Sequence, residues 1–561
     1  MRILLLTRSF NSLTQRLYLD LKALGHDLSV EFDISDTVTI EAVDLFEPAL
    51  VIAPFLKRAI PEAVWRHRVC LVVHPGVVGD RGPSALDWAV TEGVRDWGVT
   101  VLQAEAEMDA GPVWASETFP MREATKSSLY RNEVTEAASG AVLAAVQRFA
   151  SGSGPQASAG KHHGGWKPLM RQSDRRIDWQ CDGASTVIRK IRAADGAPGV
   201  LDELFGVPCH LFDAHAAPLE ARSAPGLPIA RRHGAVLRAT VDGAVWIGHV
   251  RRADASDGLK LPTALAFPAA CAELPELSAA LDAAPSEAGW LDVSYEARGE
   301  VGALHFPFYN GAMSTGQCER LTAALRAALA KPPRVLLLLG GPDYWSNGIH
   351  LNVIEAAESP ADESWRNINA MNDLTRTLIE ATGHFVIAAM QGSAGAGGVF
   401  MALASDEVWA RRGVVLNPHY KNMGNLHGSE YWTYLLPRRL KSGSADDVMG
   451  HRLPMSALEA ASLGLVDAVL EGPAGRFVDE VWERARSLAA DPGLGARLLA
   501  KQERRERDEA ARPLADYRRD ELARMHRNFY GFDPSYHIAR SNFVRRVAPS
   551  WTPRHLALHR R

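Results

Sequence analysis

The stretch from Ile387 to Glu430, IAAMQGSAGAGGVFMALASDEVWARRGVVLNPHYKNMGNLHGSE, constrains the fold more tightly than any other part of this chain. The apolar run from Phe385 to Met390 leads into Gly392, Gly395, Gly397 and Gly398, and small residues at helical spacing continue through Met401 and Ala404. That is the pattern of a buried strand, a tight turn and a helix start. Glycines in such a turn let backbone N–H groups approach a ligand, and at a helix N-terminus those amides face negative charge, which suits a developing oxyanion. They also allow close packing of helix on strand, so the turn alone does not assign a chemistry.

A second element lies upstream. The run VLLLLGG (335–341) followed by DYWSNGIHLNVI (343–354) reads as strand, polar turn with Gly348, and helix, which places the amide of Ile349 at the same end of a parallel sheet as the glycine turn. Two convergent amides make a hole. On these residues the chain resembles the crotonase (enoyl-CoA hydratase/isomerase) family over roughly Tyr295 to Leu470. The resemblance implies that Ile349 and Gly397 supply the two oxyanion amides and that the ligand is a coenzyme A thioester. Hydratases of that family carry two glutamates in the pocket, but Phe400 and Tyr420 stand at those positions here. A water-adding pair of carboxylates is therefore missing. Glu430 is the nearest carboxylate in sequence that can share the pocket with Tyr420.

The chain opens with RILLLTRSF (2–10), a buried strand, then NSLTQRLYLDLKALGH (11–26), a helix capped by Ser12 or Thr14 with Leu17, Leu21 and Leu24 on one face. DLSVEFD (27–33), PALVIAPF (48–55) and VCLVVH (69–74) supply further strands, so βαβ units repeat and the sheet is mostly parallel. Active residues in such sheets sit at the carboxyl ends of strands, where His74 falls. HPGVVGDRGPSALDWAV (74–90) follows, then WGVTVLQAEAEMDAGPVW (97–114), a hairpin-like pair with Asp109 in its turn. These segments resemble the formyltetrahydrofolate-dependent formyltransferases and hydrolases. DRRIDWQ (174–180), the helix beginning at Ser185 and the strands after it resemble their small barrel-like C-terminal domain, so the likeness covers roughly residues 1–270. It implies N10-formyltetrahydrofolate as formyl donor, His74 and Asp109 as the residues that perform the transfer, and Arg81 and Gly82 as folate-binding. The family's asparagine is replaced by Val72. Loss of an oxyanion donor costs about 10²–10³ in rate, so either another donor replaces it or the acceptor is easier to formylate, and a thiol fits the second option because its pKa of about 8.5 leaves a few per cent already nucleophilic at neutral pH. Candidates for the coenzyme A phosphates are Arg8, Thr14 and Gln15 at the first strand-to-helix turn, with Arg131 on a following helix.

A length of 561 residues predicts three or four domains. The expected architecture is multidomain α/β: a Rossmann-like parallel-sheet formyltransferase domain over 1–160, a small β-rich, OB-like domain over 161–275, a linker over 276–290, and a crotonase-like α/β domain with C-terminal helices over 291–561. The charged run LGARLLAKQERRERDEAARPLADYRRDELARMHRNF (494–529) reads as helix with a solvated face. His162 and His163 have no carboxylate or thiol at metal-ligand spacing, so no metal is expected. A net charge of −4 favours neither nucleic acid nor an anionic membrane, and no apolar run reaches the roughly 18 residues a membrane span needs. Five scattered cysteines point to a reducing compartment, and the expected location is cytoplasmic.

The two halves together resemble the HoxX-type hydrogenase maturation factors along the whole chain. That resemblance implies formyl transfer to coenzyme A, then decarbonylation of formyl-CoA to carbon monoxide, an active-site ligand of [NiFe]-hydrogenase, with Tyr420 and Glu430 moving the formyl proton. The hydrogenase large subunit or its maturation machinery is the implied partner. Two alternatives stay open: the same transfer followed by hydrolysis to formate, and a non-catalytic folate-binding scaffold.

Overall fold

The computed structural model describes residues 1–156, 164–218, 223–255, 258–284 and 289–561; His162 and His163 lie outside them. The first sheet contains β1 (Arg2–Thr7), β2 (Asp27–Phe32), β3 (Leu50–Phe55), β4 (Cys70–His74), β5 (Asp96–Gln103) and β6 (Val113–Pro120) in the order β2-β1-β3-β4-β5-β6. Its first four strands are parallel, and β5 and β6 close it as the expected hairpin, with β5 antiparallel to β4 and β6 antiparallel to β5. Apolar residues on both faces of these strands explain the unbroken runs in the sequence: Ile3 and Leu5 join one core cluster, Leu4 and Leu6 the other. Asn11, rather than Ser12 or Thr14, caps the helix Ser12–Ala23, because its side chain accepts the Thr14 amide at 3.0 Å.

An antiparallel sheet follows, built from β7 (Val200–Leu204), β8 (Val207–Ala217), β9 (Pro228–Arg232), β10 (Ala235–Ala239) and β11 (Ala244–Arg252), with β12 (Lys260–Pro262) on β11. The helix Ala184–Ala194 covers it with Val187, Ile188 and Ile191.

The last large sheet runs β13 (Ser294–Arg298), β14 (Val301–Phe306), β15 (Val335–Gly340), β17 (Phe385–Met390), β19 (Glu407–Arg411), β22 (Ala468–Leu470). It is parallel apart from the β13–β14 hairpin. Beside it lies a second, four-stranded sheet of β16 (Tyr344–Ser346), β18 (Ser393–Gly395), β20 (Val415–Asn417) and β21 (Met455–Ser456). Here the expectation needs correction: the polar turn and the glycine turn leave β16 and β18, parallel neighbours in this small sheet, rather than the strands of the large one.

The charged run at 494–529 is two helices, Leu494–Ala511 and Leu514–Tyr530. Pro513 separates them, since the residue before a proline avoids helical backbone and Arg512 is extended. Nor is the run solvated throughout: Lys501 and Glu521 are buried. Beyond it the chain returns to the first sheet, where the Val30 amide donates to Leu556 O at 3.0 Å and buried Glu31 accepts from His559 and Arg560.

Candidate active sites in the two halves

His74 ends β4 and is buried. Its Nε2 lies 2.9 Å from Asp80 Oδ2, and its Nδ1 faces Asp109 Oδ2 at 3.7 Å. Both ring nitrogens therefore meet a carboxylate, which fixes the ring plane. Asp109 takes a left-handed backbone (φ 54) and accepts the Gly82 amide at 3.2 Å. Sequence reasoning missed Asp80, although the glycines flanking it were a usable signal. Gly79 and Gly82 have φ of 88 and 115 and turn the loop back, and a Cβ on Gly76 would lie 2.5 Å from both Asp80 Oδ2 and His74 Nε2. The loop is pinned by Thr100, whose hydroxyl donates to Gly76 O, and by the Trp97 indole, which donates to Pro75 O. Arg81 pairs with Glu107 at 2.7 Å, and its backbone pairs with Gly165 and Lys167. Val72, two residues before His74 on the same face of β4, sits between Ala53 and Leu102 in register.

In the C-terminal half the amides of Ile349 and Gly397 have no hydrogen-bond partner among the described residues. Their turns touch: Gly348 has φ 76, and a Cβ there would sit 3.3 Å from Gly397 N. Ala396, at φ 47 and ψ −129, aims the chain into the helix Gly397–Leu403. Such a conformation in a residue other than glycine stores strain. The Tyr420 hydroxyl donates to Glu430 Oε2 at 2.5 Å, and the Tyr420 ring stacks on Phe400 at 5.5 Å. Glu430 Oε1 faces the glycine turn so closely that a Cβ on Gly397 would lie 2.1 Å from it. Burial pushes the Glu430 carboxyl up to about 7; the Tyr420 hydrogen bond opposes this and the negative Glu521 adds to it. Burial and the neighbouring carboxylate hold the Tyr420 hydroxyl well above its ordinary value, so it stays protonated. Asn372, Asn367 and Glu521, which hold these turns from behind, carried no local signal in the sequence.

The remaining predicted residues lie around the first strand-to-helix turn and where the halves meet. The Gln15 side chain accepts from Asn417 at 3.1 Å, and Arg131 donates to Asp343 and to Asn310, each at 3.2 Å. Burial opposes the charge on Arg131, but Tyr344 and Asp343 outweigh it and hold the guanidinium firmly protonated. Arg8 lies beside Asp33, donating to its carbonyl at 3.4 Å. Thr14 is fully buried and donates its hydroxyl to Asn11, so it shapes the turn from inside. Among the described residues no cluster of His, Cys, Asp or Glu is placed to hold a metal, and no helix is long and apolar enough to cross a membrane.

Three family profiles match: formyl transferase at residues 31–146, formyl transferase C-terminal domain at 169–257, and enoyl-CoA hydratase/isomerase at 303–552. The chain is 58% identical to the hydrogenase maturation factor HoxX of Bradyrhizobium diazoefficiens over 562 aligned residues, covering 100% of this chain and 97% of that one. It belongs to the HoxX-type hydrogenase maturation factors. A crystal structure of HypX from Aquifex aeolicus in complex with tetrahydrofolic acid superposes with a TM-score of 0.95 at 45% identity, covering 100% of this chain and 99% of that one. The methionyl-tRNA formyltransferase of Thiobacillus denitrificans is 26% identical over 200 residues, 35% of this chain and 62% of that protein. In this HoxX-type chain His74, Asp80 and Asp109 fall inside the formyl transferase match, and Ile349, Gly397, Tyr420, Glu430 and Glu521 inside the enoyl-CoA hydratase/isomerase match.

Proposed function

We propose that this chain makes carbon monoxide for a [NiFe]-hydrogenase active site in two steps, formyl transfer from N10-formyltetrahydrofolate to coenzyme A and decarbonylation of the resulting formyl-CoA. The observation that carries the reading is the Tyr420–Glu430 hydrogen bond, set against two amides without a partner among the described residues in a crotonase-like pocket whose hydratase positions hold Phe400 and Tyr420. Folate comes to this chain by the likeness to HypX in complex with tetrahydrofolic acid, and the pocket loop of Arg81 and Gly82 is the proposed place for it. Coenzyme A fits the amide pair, with Arg8, Gln15 and Arg131 as the cationic and polar groups proposed for its phosphates. We assign the folate domain to 1–160, the small domain to 161–275 and the thioester domain to 291–561, and place the protein in the cytoplasm.

In the first step the N10–C bond of the folate breaks and a C–S bond forms. His74, held between Asp80 and Asp109, takes the thiol proton and returns it to N10. In the second step the C–S bond of the formyl thioester breaks and the formyl proton must reach sulfur, with no net oxidation or reduction. The amides of Ile349 and Gly397 hold the carbonyl oxygen, ionised Glu430 accepts the formyl proton, Tyr420 gives one to sulfur, and their shared hydrogen bond resets the pair. Keeping the labile thioester inside one chain replaces diffusion by effective concentration.

The test is to incubate the purified chain with formyltetrahydrofolate and coenzyme A and to follow a haem protein's absorption. Carbon monoxide formed in step with folate consumption is the expected result. Formate in its place would establish the hydrolytic alternative. Gly397→Ala puts a methyl group on top of Glu430 Oε1, so carbon monoxide release should fall by about 10²-fold or more, with formyl transfer little changed.

A further inference from the structure

We propose that Glu521, on the helix Leu514–Tyr530 outside the crotonase-like sheets, is a positioning residue for the Tyr420–Glu430 pair; the proposal rests on the function argued above. Glu430 and Tyr431 are consecutive left-handed residues, φ 59 and 58, and neither is glycine. Backbone of that kind persists only where the surroundings over-determine it. One carboxylate does most of this. Glu521 Oε2 accepts the Tyr431 amide at 3.0 Å and the Ser429 hydroxyl at 3.2 Å, and Oε1 accepts the Thr433 amide at 2.9 Å and its hydroxyl at 2.6 Å. Three residues of the turn that carries Glu430 are thus tied to a single side chain, itself 1% exposed.

The other side of the turn is held by the helix Pro360–Ile379. Asn372 donates to Ser429 Oγ at 2.9 Å and accepts the Glu430 amide at 2.8 Å. On the same helix Asn367 accepts the His350 amide at 3.0 Å, next to Ile349. Ser429 joins the two supports. Glu521 and Asn372 therefore bracket the turn, and the helix behind them also fixes the oxyanion turn, so the Glu430 carboxylate and the Ile349 amide share one rigid reference.

Glu521 also forms no ion pair among the described residues, and its four partners all donate, so only a carboxylate, which accepts at both oxygens, satisfies them; an amide would turn its NH2 toward two of those donors. Its charge has a use in this place. The groups facing Glu430 are the Tyr420 hydroxyl, the Ser429 amide, Glu521 and the Cys318 thiol, while Arg376 and Arg518 face the adjacent Tyr431. Burial pushes the Glu521 carboxyl up to about 7, as it does that of Glu430, so the two titrate together, and the ionised Glu521 makes Glu430 a stronger proton acceptor. Removing that charge lowers the Glu430 pKa, so the acid limb of the rate profile moves to lower pH and the maximal rate falls.

The experiment supplies the full chain with formyl-CoA and measures carbon monoxide release against pH for the parent, Glu521→Gln, Ser429→Ala and Glu430→Gln. Glu521→Gln should lower kcat by about 10²-fold, the loss that a misplacement of about 1 Å produces, leave KM nearly unchanged, and shift the acid limb downward. Ser429→Ala, which keeps the carboxylate and cuts its link to Asn372, should lower kcat by a smaller factor without moving the limb. An unaltered kcat in both variants, or a loss in Glu521→Gln with the limb in place, overturns the positioning role. If instead Glu430→Gln still releases carbon monoxide at the parental rate, the proposed function of the pocket fails, whatever Glu521 does. Should Glu521→Gln not fold, the Ser429→Ala kcat decides alone.

Discussion

Replacing Glu430 by glutamine should reduce carbon monoxide release by about 10²–10⁴-fold, the usual contribution of a positioned acid–base group, while folate consumption continues and formyl-CoA accumulates. The side chain keeps its size, so the pocket does not collapse, but it can no longer accept the formyl proton. The pH dependence carries a sign. With the Glu430 carboxyl pushed up to about 7 by burial, the parent's release rate should fall as pH drops through about 7, because the protonated acid cannot act as acceptor. The same group affects stability in the opposite sense. A carboxyl whose folded pKa lies above its unfolded value binds a proton more tightly when folded, so its contribution to stability is fully present below about pH 4.5 and is lost as pH rises through about 7. Thermal unfolding followed by circular dichroism from pH 5 to 8 should show that decline in the parent and a shallower one in Glu430→Gln. A variant that releases carbon monoxide at the parental rate would remove Glu430 from the chemistry.

The second large effect is expected at the other site. His74→Ala should lower formyl transfer from formyltetrahydrofolate to coenzyme A by about 10²–10⁴-fold, while the same variant, given formyl-CoA directly, releases carbon monoxide normally. The separation follows from geometry: His74 is held by Asp80 and Asp109 on the first sheet, and none of its partners belongs to the turns around Gly397. Asp80→Asn should produce a smaller loss in the same step, because the ring keeps a hydrogen-bond partner at Nε2 but loses the nearer negative charge. Folate consumption measured by absorbance, with carbon monoxide measured by a haem protein, resolves the two steps in one cuvette. Loss of both steps in His74→Ala would mean that the sites are not independent.

Much of this organisation was readable in the residues. Buried strands announce themselves as apolar runs, and the turns around Gly348 and Gly397 as glycine after such a run, because backbone conformation is restricted locally. His74 and Asp109 stood out because a strand end and a hairpin turn are short-range features. Asp80 escaped because five residues of loop (75–79) separate it from His74, and only the folded loop brings its carboxylate to 2.9 Å from the ring. The helix cap went to Asn11 for a similar reason: several capping residues were adjacent, and the geometry of one hydrogen bond chose among them.

The sequence by itself determined which elements form and the order of the two halves; through the family resemblance it put Phe400 and Tyr420 where hydratases carry glutamates, and it offered Glu430 as the nearest carboxylate to share their pocket. Those properties depend on residue type and on neighbours within a turn or two of the chain. Only the tertiary structure decided that a separate small sheet aligns the two amides, that Arg131 and Gln15 reach across to the other half, and that Glu521, in a run that reads as solvated helix, is buried behind Glu430. These are contacts between residues 48 to more than 400 positions apart. Such pairings are selected by how whole layers pack, where the gain is shared by many side chains and leaves no local mark on any of them.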